Sequence, residues 1–187
     1  MKKQLVEWQS TLVILATLLL SVGESTVIQD GIPTNNLSDY TIRYLSKDGN
    51  DTESCLSDQG YYRSPLNSAT VEYCRSLIYA LTGDYRNESS NVTNLVVIIR
   101  PGQYNIGEQG IKIDRYKNIF LTKMPGTVGE VVFKCFKYLE EDFNNLYVVR
   151  SVNISMNGIV FTECGSYDSP VRLQHTLNVT ISNCTFR

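Results

Sequence analysis

The segment Leu146-Tyr-Val-Val-Arg-Ser-Val-Asn-Ile-Ser-Met-Asn-Gly-Ile-Val-Phe161 decides the fold that the sequence predicts. It contains apolar units at 146–149, 152–156 and 158–161, and only one or two residues separate each unit from the next. Val, Ile and aromatic residues favour strands, and units this short are typical of strands rather than helices. The segment therefore predicts short strands with a sharp turn after each one.

One of these units recurs along the chain. Asn118-Ile-Phe-Leu121, Asn153-Ile-Ser-Met156 and Asn178-Val-Thr-Ile181 each combine an asparagine with an alternating apolar triplet. The spacing between the copies is unequal, so the repeat is imperfect. A single strand and turn cannot bury its own apolar face, and such repeats favour stacked coils.

Further strand-like segments accompany the repeat, and we predict an all-β fold. They lie at 40–45, 95–99, 111–113, 131–133 and 171–173. The continuous apolar run Leu95–Ile99 is typical of a strand that is covered on both faces or lies in a parallel sheet. We expect residues 24–39 to form a linker or leading arm and residues 40–187 to form the domain.

A short amphipathic helix is predicted over residues 70–81. Its apolar face follows helical spacing, with Val71, Cys74, Leu77, Ile78 and Leu81 on one side. Gly83 can end the helix. Cys55 and Cys74 bracket the loop that leads into it, so we expect a disulfide that ties this loop to the helix.

The N-terminus has the layout of a secretory signal peptide over residues 1–23. Lys2 and Lys3 precede the apolar run 11–20, and Ser21 and Gly23 supply small residues near a cleavage point. The run is shorter than the roughly 20 residues that a membrane-spanning helix needs. We expect an extracellular protein, secreted or at the cell surface, without a membrane span after cleavage.

Sequons and cysteines are consistent with an extracellular location. Asn-x-Ser/Thr sequons begin at Asn36, Asn50, Asn87 and Asn91 in polar, loop-like stretches, and at Asn153, Asn178 and Asn183 within or beside apolar alternation. We expect glycans at the first four, whereas a structural role is at least as strongly expected for the last three. The 5 cysteines match no metal-site spacing and leave at least one thiol unpaired.

Several motifs, taken in order, resemble the right-handed parallel β-helix proteins of the pectin-lyase-like superfamily, particularly extracellular animal members of unassigned function. They are Tyr44-Leu-Ser-Lys-Asp-Gly-Asn-Asp51, Cys74-Arg-Ser-Leu-Ile-Tyr-Ala-Leu81, Val97-Ile-Ile-Arg-Pro-Gly-Gln-Tyr104, Asn118-Ile-Phe-Leu121, Gly158-Ile-Val-Phe-Thr-Glu-Cys164 and Val179-Thr-Ile-Ser-Asn-Cys-Thr-Phe186. The resemblance covers about residues 40–187.

The resemblance implies a right-handed parallel β-helix with a short N-terminal capping helix. Members of the superfamily usually continue for more coils, so we expect residues 40–187 to be the N-terminal part of a β-helix domain. Cys164 and Cys184, each near the end of a strand unit, could pair between adjacent coils. They could equally stay in the core as buried thiols.

Catalytic patterns of polysaccharide-cleaving enzymes on this fold are missing from the sequence, which has no Asp-Asp pair in a strand and no Gly-His-Gly. The single histidine, His175, is expected in solvent at a junction between strand and loop. We expect Glu140-Glu-Asp142 to be a solvated loop and Asp48-Gly-Asn-Asp51 to be a turn rather than a calcium loop, because the glutamate that closes such a loop is missing.

Net charge disfavours nucleic acid as a partner, because the sequence has 17 basic and 19 acidic side chains and therefore no excess of positive charge. We expect no cofactor, no metal and no catalytic residue. The preferred function is non-catalytic binding of an extracellular glycan or protein. The alternatives are a polysaccharide lyase or glycoside hydrolase with its catalytic coils beyond this chain, and a structural spacer.

Overall fold

The computed structural model describes residues 28–29, 32–33, 37–59, 71–83, 92–106, 110–135, 145–164 and 169–187. The predicted signal peptide, the sequons at Asn36, Asn87 and Asn91, and the acidic run 140–142 lie outside these residues. Residues 24–39 are described only in part: residues 28–29 and 32–33 pair there as a short antiparallel ribbon, and a 3-10 turn follows at Leu37–Asp39.

The described residues are dominated by β-strands, as the strand-like segments of the sequence predict. The strands are β1 Ile28–Gln29, β2 Ile32–Pro33, β3 Thr41–Leu45, β4 Tyr73–Cys74, β5 Thr93–Ile99, β6 Gly102–Asn105, β7 Ile111–Asp114, β8 Lys117–Lys123, β9 Val131–Lys134, β10 Leu146–Val149, β11 Val152–Asn157, β12 Ile159–Thr162, β13 Val171–Gln174, β14 Leu177–Ser182 and β15 Thr185–Phe186. Two short α-helices span Glu53–Leu56 and Leu77–Thr82.

Three parallel sheets hold all the strands from β3 onward. Their strand orders are β14-β11-β8-β5-β3-β4 for the six-stranded sheet, β15-β12-β9-β6 for the four-stranded sheet and β13-β10-β7 for the three-stranded sheet. From β7 the chain visits the three-stranded, six-stranded and four-stranded sheets in turn, and it does so three times. Each round of three strands adds one strand to every sheet. The sheets are not closed.

The main core lies between the three sheets, because alternate side chains of every strand point toward it. Ile119 and Ile154 share a register position in the six-stranded sheet and are fully buried. Phe133 and Phe161 stack one strand apart in the four-stranded sheet, with ring centroids 5.7 Å apart. Equivalent positions therefore carry equivalent side chains, which is what a repeated strand unit predicts.

The six-stranded sheet is covered on both faces at its centre, as the apolar run at 95–99 predicts. Leu95, Val97 and Ile99 join the main core, whereas Val96 and Ile98 join a second apolar cluster on the opposite face. The segment before β3 contributes to that second cluster, where Tyr40 meets Phe120 edge to face at 5.5 Å.

A ladder of asparagines runs along one corner of the stack. Its members are Asn94, Asn118, Asn153 and Asn178, and all of them have a left-handed backbone with φ between 53° and 58°. The Nδ2 of Asn118 donates to Oδ1 of Asn94 at 2.7 Å, that of Asn153 to Asn118 at 2.7 Å, and that of Asn178 to Asn153 at 3.0 Å. Asparagine suits this corner because it tolerates the left-handed region and carries both a donor and an acceptor.

The helix predicted over 70–81 is shorter than expected, which corrects its start. Residues 73–74 form strand β4 beside β3, and the helix begins only after Ser76, whose Oγ accepts from the amide of Tyr79 at 3.3 Å. The backbone groups of Tyr73 and Cys74 pair with the exposed edge of the sheet, and this pairing overrides the helical spacing. Gly83 ends the helix in a left-handed conformation with φ 75°, as predicted.

Two disulfides link segments of the described chain that are distant in sequence. The structure joins Cys55 to Cys74, and both half-cystines pack beside the helix Leu77–Thr82 in the main core. Cys135 is joined to Cys164, at the ends of β9 and β12. The alternative pairing of Cys164 with Cys184 is therefore wrong, because Cys164 already has a partner; Cys184 is the free, half-buried thiol.

We predict that Asn118→Ala lowers the free energy of unfolding by about 2–3 kcal/mol, because it removes two ladder bonds and puts alanine in the left-handed region. Asn118→Gly removes the same bonds without the conformational cost and should be about 1 kcal/mol less damaging. Urea unfolding measures both. The exposed Asn105→Ala is the control, and equal losses in all three variants would contradict a role for the ladder.

Candidate functional site

A cluster of basic side chains and their polar neighbours lies on the outer surface of the three-stranded sheet. We call this surface the basic face, and its members are Lys112, Asp114, Arg115, Tyr147, Arg150, Arg172, Gln174 and His175. The parallel register places Lys112, Tyr147 and Arg172 in one row across β7, β10 and β13. The face carries four permanent cations and one carboxylate, although the whole chain has a net charge of -2.

The corner after each strand of this sheet supplies the second row. Arg115, Arg150 and His175 follow β7, β10 and β13, and each has a left-handed backbone with φ of 61°, 49° and 52°. Each corner is three residues before an asparagine of the ladder. Because the ladder fixes the strands one spacing apart, it also stacks these corner side chains above one another.

Asp114 is the organising group of the face. Its side chain is only 3% exposed and lies within reach of three cations. Arg150 donates to both of its oxygens, from Nε to Oδ1 at 2.9 Å and from Nη2 to Oδ2. Lys112 Nζ lies 3.5 Å from Oδ2, and Arg115 Nε lies 3.7 Å from Oδ1. A two-pronged contact of this kind fixes the plane of the guanidinium.

The pKa of Asp114 reflects this competition. Burial alone would raise the pKa, but the hydrogen bonds and positive charge of Arg150, helped by Lys112, outweigh burial and hold the pKa below its ordinary value. Asp114 is therefore charged at neutral pH. It neutralises one cation and leaves a net positive face.

Tyr147 holds the far end of the face in place. Its hydroxyl donates to Oε1 of Gln174, and the guanidinium of Arg172 lies over its ring at 5.5 Å from the centroid. A guanidinium over an aromatic ring is attracted to it and loses part of its freedom. Arg172 remains exposed, so it presents a positioned charge to solvent.

The arrangement suits binding of an anion better than chemistry on one. General acid–base catalysis needs a proton-transferring group with a positioned partner. Among the described residues of this face, Asp114 is the carboxylate, and the three cations around it occupy its oxygens. His175 lies exposed at its corner.

The other candidates from the sequence have structural roles or lie outside the described residues. Asp51 accepts from the amides of Arg75 and Ser76 at 2.7 and 3.0 Å, so it ties a turn to the start of the helix. It lies close to Cys55 and Cys74, but the disulfide removes the thiolates that a metal would need.

Aromatic side chains can stack on sugars, and Tyr61, Tyr62, Tyr104 and Tyr138 are candidates in the sequence, but they form no such surface in the described part of the chain. Residues 61, 62 and 138 lie outside it. Tyr104 is buried against Phe133, and its hydroxyl donates to the carbonyl of Arg100 at 2.6 Å. Burial raises the pKa of Tyr104 to about 12.

A groove of about 450 Å³ lies at the corner between the six-stranded and four-stranded sheets. Asn157 and Asn183 line it, and Nδ2 of Asn183 donates to Oδ1 of Asn157 at 2.8 Å. Glu130 on its rim pairs with Arg187 at 2.7 Å. These contacts already engage the polar groups, so the groove offers less to a charged ligand than the basic face does.

Sequence inspection missed the basic face, although the repeat contains a pattern that finds it. Three residues before the asparagines of the repeat stand Arg115, Arg150 and His175. Six residues before them stand Lys112, Tyr147 and Arg172. Aligning the copies by their asparagines, rather than surveying the net charge of the chain, brings these side chains together.

No protein-family model, curated protein or solved structure matches this chain. Within the described ranges, the structure contains no helix whose length and apolarity would let it cross a membrane.

We predict that Asp114→Asn destabilises the protein at pH 7 and that the difference from the unaltered chain shrinks as the pH falls below about 4. A depressed pKa stabilises the fold above the unfolded-state pKa, and this contribution is lost as the pH falls through the folded-state value. Urea unfolding between pH 7 and pH 2.5 measures the effect. Glu72→Gln controls for the loss of one exposed negative charge. A difference for Asp114→Asn that does not change with pH would contradict the ion cluster.

Proposed function

We propose that this chain is an extracellular glycoprotein, secreted or at the cell surface, with a right-handed parallel β-helix of the pectin-lyase-like type. In this proposal it binds an anionic glycan through the basic face and performs no reaction on it. The single observation that carries the function is the row Lys112, Tyr147 and Arg172, flanked by the corner arginines and organised by Asp114.

The β-helix is supported by the order in which the chain visits its sheets. Three parallel sheets each gain one strand per turn, and the asparagine ladder joins successive turns across 24, 35 and 25 residues. The helix Leu77–Thr82 packs against the core at the β4 end, where the superfamily places a cap.

Export is supported by three independent features. The pattern of residues 1–23 is that of a signal peptide, the sequence contains N-glycosylation sequons, and two disulfides are formed. Structural disulfides belong to oxidising compartments and are rare in the cytosol.

An anionic glycan is favoured over a folded protein partner by the shape and charge of the face. Its cations follow the direction of strand stacking, in which neighbouring strands stand about 4.8 Å apart. Cations in this arrangement can contact several negative groups of one linear polymer at the same time. Arginine is well suited to this task, because its planar donors match carboxylate and sulfate oxygens in pairs.

The first experiment compares binding to sulfated, uronic-acid and neutral polysaccharides. We predict retention on the sulfated polymer, the uronic-acid polymer or both, but not on the neutral one, and weakening as salt screens the charges. Lys112→Ser combined with Arg172→Ser should weaken binding about tenfold or more, which corresponds to about 1.4 kcal/mol. Isothermal titration or a biosensor measures the affinity.

Arg75→Ser is the matched control, because Arg75 is an exposed arginine beside β4, at the opposite end of the six-stranded sheet from β14. Equal loss of affinity in this variant would assign binding to general charge. New ultraviolet absorbance or reducing ends in the uronic-acid samples would favour the enzyme instead. No binding to any charged polymer would favour a spacer.

A further inference from the structure

Two of the predicted glycosylation sequons begin at asparagines of the ladder. Asn153 donates its Nδ2 to Asn118 and accepts from Asn178, so both ends of its amide are in use. Ser155, which completes this sequon, is only 3% exposed. Asn178 is exposed and donates its Nδ2 to Asn153, and Thr180 completes its sequon.

Asn50 has the opposite surroundings. It lies in the turn after β3, its side chain is exposed, and no hydrogen bond holds that side chain among the described residues. Its backbone amide donates to the carbonyl of Tyr73 at 2.9 Å, so the main chain is fixed while the side chain is exposed. A bulky group on Nδ2 is compatible with this position.

We propose that Asn50 carries an N-linked glycan in the exported protein and that Asn153 and Asn178 remain unmodified. This proposal rests on the export part of the proposed function. The donor is a lipid-linked oligosaccharide diphosphate supplied by the secretory pathway. The amide nitrogen bonds to the anomeric carbon, the bond from that carbon to phosphate oxygen breaks, one amide proton is lost, and the lipid diphosphate leaves.

The ladder explains why glycans are excluded. Asn153 has a neighbouring ladder asparagine on either side, each about one strand spacing of 4.8 Å away. A sugar on its Nδ2 would replace an amide hydrogen and stand in the row between them. A chain modified at this position has a sugar crowding the ladder bonds to both neighbours, and such a chain folds less stably.

The ladder also explains why sequons occur there at all. A ladder position requires asparagine, and this asparagine is the second residue of its strand. The residue two positions on lies on the outer face of that strand, where β-branched threonine is favoured and serine also fits. Asn153-Ile-Ser and Asn178-Val-Thr thus satisfy the sequon as a by-product of strand geometry. Asn94 and Asn118 do not, because Val96 and Phe120 stand two positions after them.

The test is glycopeptide mapping of the full chain made in a eukaryotic secretory host. Enzymatic release of N-glycans in ¹⁸O-water marks each modified asparagine, and mass spectrometry locates the marks. One sample keeps the natural N-terminus, and its appearance in the medium tests export. A second sample carries an unrelated signal sequence before the full chain, so that the choice among sequons is tested even where the natural N-terminus fails to direct export.

The expected result is a mark on Asn50 and none on Asn153 or Asn178 in protein recovered from the medium of the second sample. Three matched variants remove the hydroxyl that a sequon needs: Thr52→Ala, Ser155→Ala and Thr180→Ala. Thr52→Ala should lose one glycan on a gel, whereas the other two should migrate like the unaltered chain.

Ser155→Ala also has little reason to misfold, because the buried Ser155 Oγ has no hydrogen-bond partner. A mark on Asn153 or Asn178, or loss of a glycan in Ser155→Ala or Thr180→Ala, would overturn the proposal. Absence of a mark on Asn50 in the second sample would also overturn it. Retention of only the first sample inside the cell would count against export and leave this result intact.

Discussion

The side-chain hydrogen bonds of the asparagine ladder are the interaction on which the rest of the structure depends. A parallel stack needs a sharp corner at the same place in every turn, and a left-handed residue provides it. Asn94, Asn118, Asn153 and Asn178 provide that corner and bond to one another, so each turn is placed directly on the last. A slip of one residue would break the ladder and also bring polar side chains into the core.

This fixed register turns a weak sequence repeat into a strong surface feature. Lys112, Tyr147 and Arg172 are far apart in the chain, but the parallel pairing sets them in one row. Unpaired cations so close together would repel one another. Asp114 relieves that repulsion at one end and Tyr147 engages Arg172 at the other, which keeps the side chains ordered while the surface stays positive.

Apolar patterning predicted most of the strands, because alternation in segments such as Val152–Asn157 is a local property of the sequence. The helix start was wrong because helical spacing at Val71 and Cys74 does not reveal that β3 offers an edge for pairing. The partner of Cys164 and the basic face depend on which turns stack together. That stacking follows offsets of 24, 35 and 25 residues between the ladder asparagines. The repeat shows the last two offsets, but neither net charge nor local spacing shows which side chains they bring together.

The ladder also explains why the turns of the stack can differ in length. Since one corner fixes the register, the other connections can differ in length without disturbing the sheets. The connection between β8 and β9 is longer than that between β11 and β12, yet Val131 still pairs with Ile159 and Phe133 with Phe161. The Cys135–Cys164 disulfide joins these two turns directly after the paired strands. Strict register at one corner and freedom at the others allow the outer surface to be varied without altering the core.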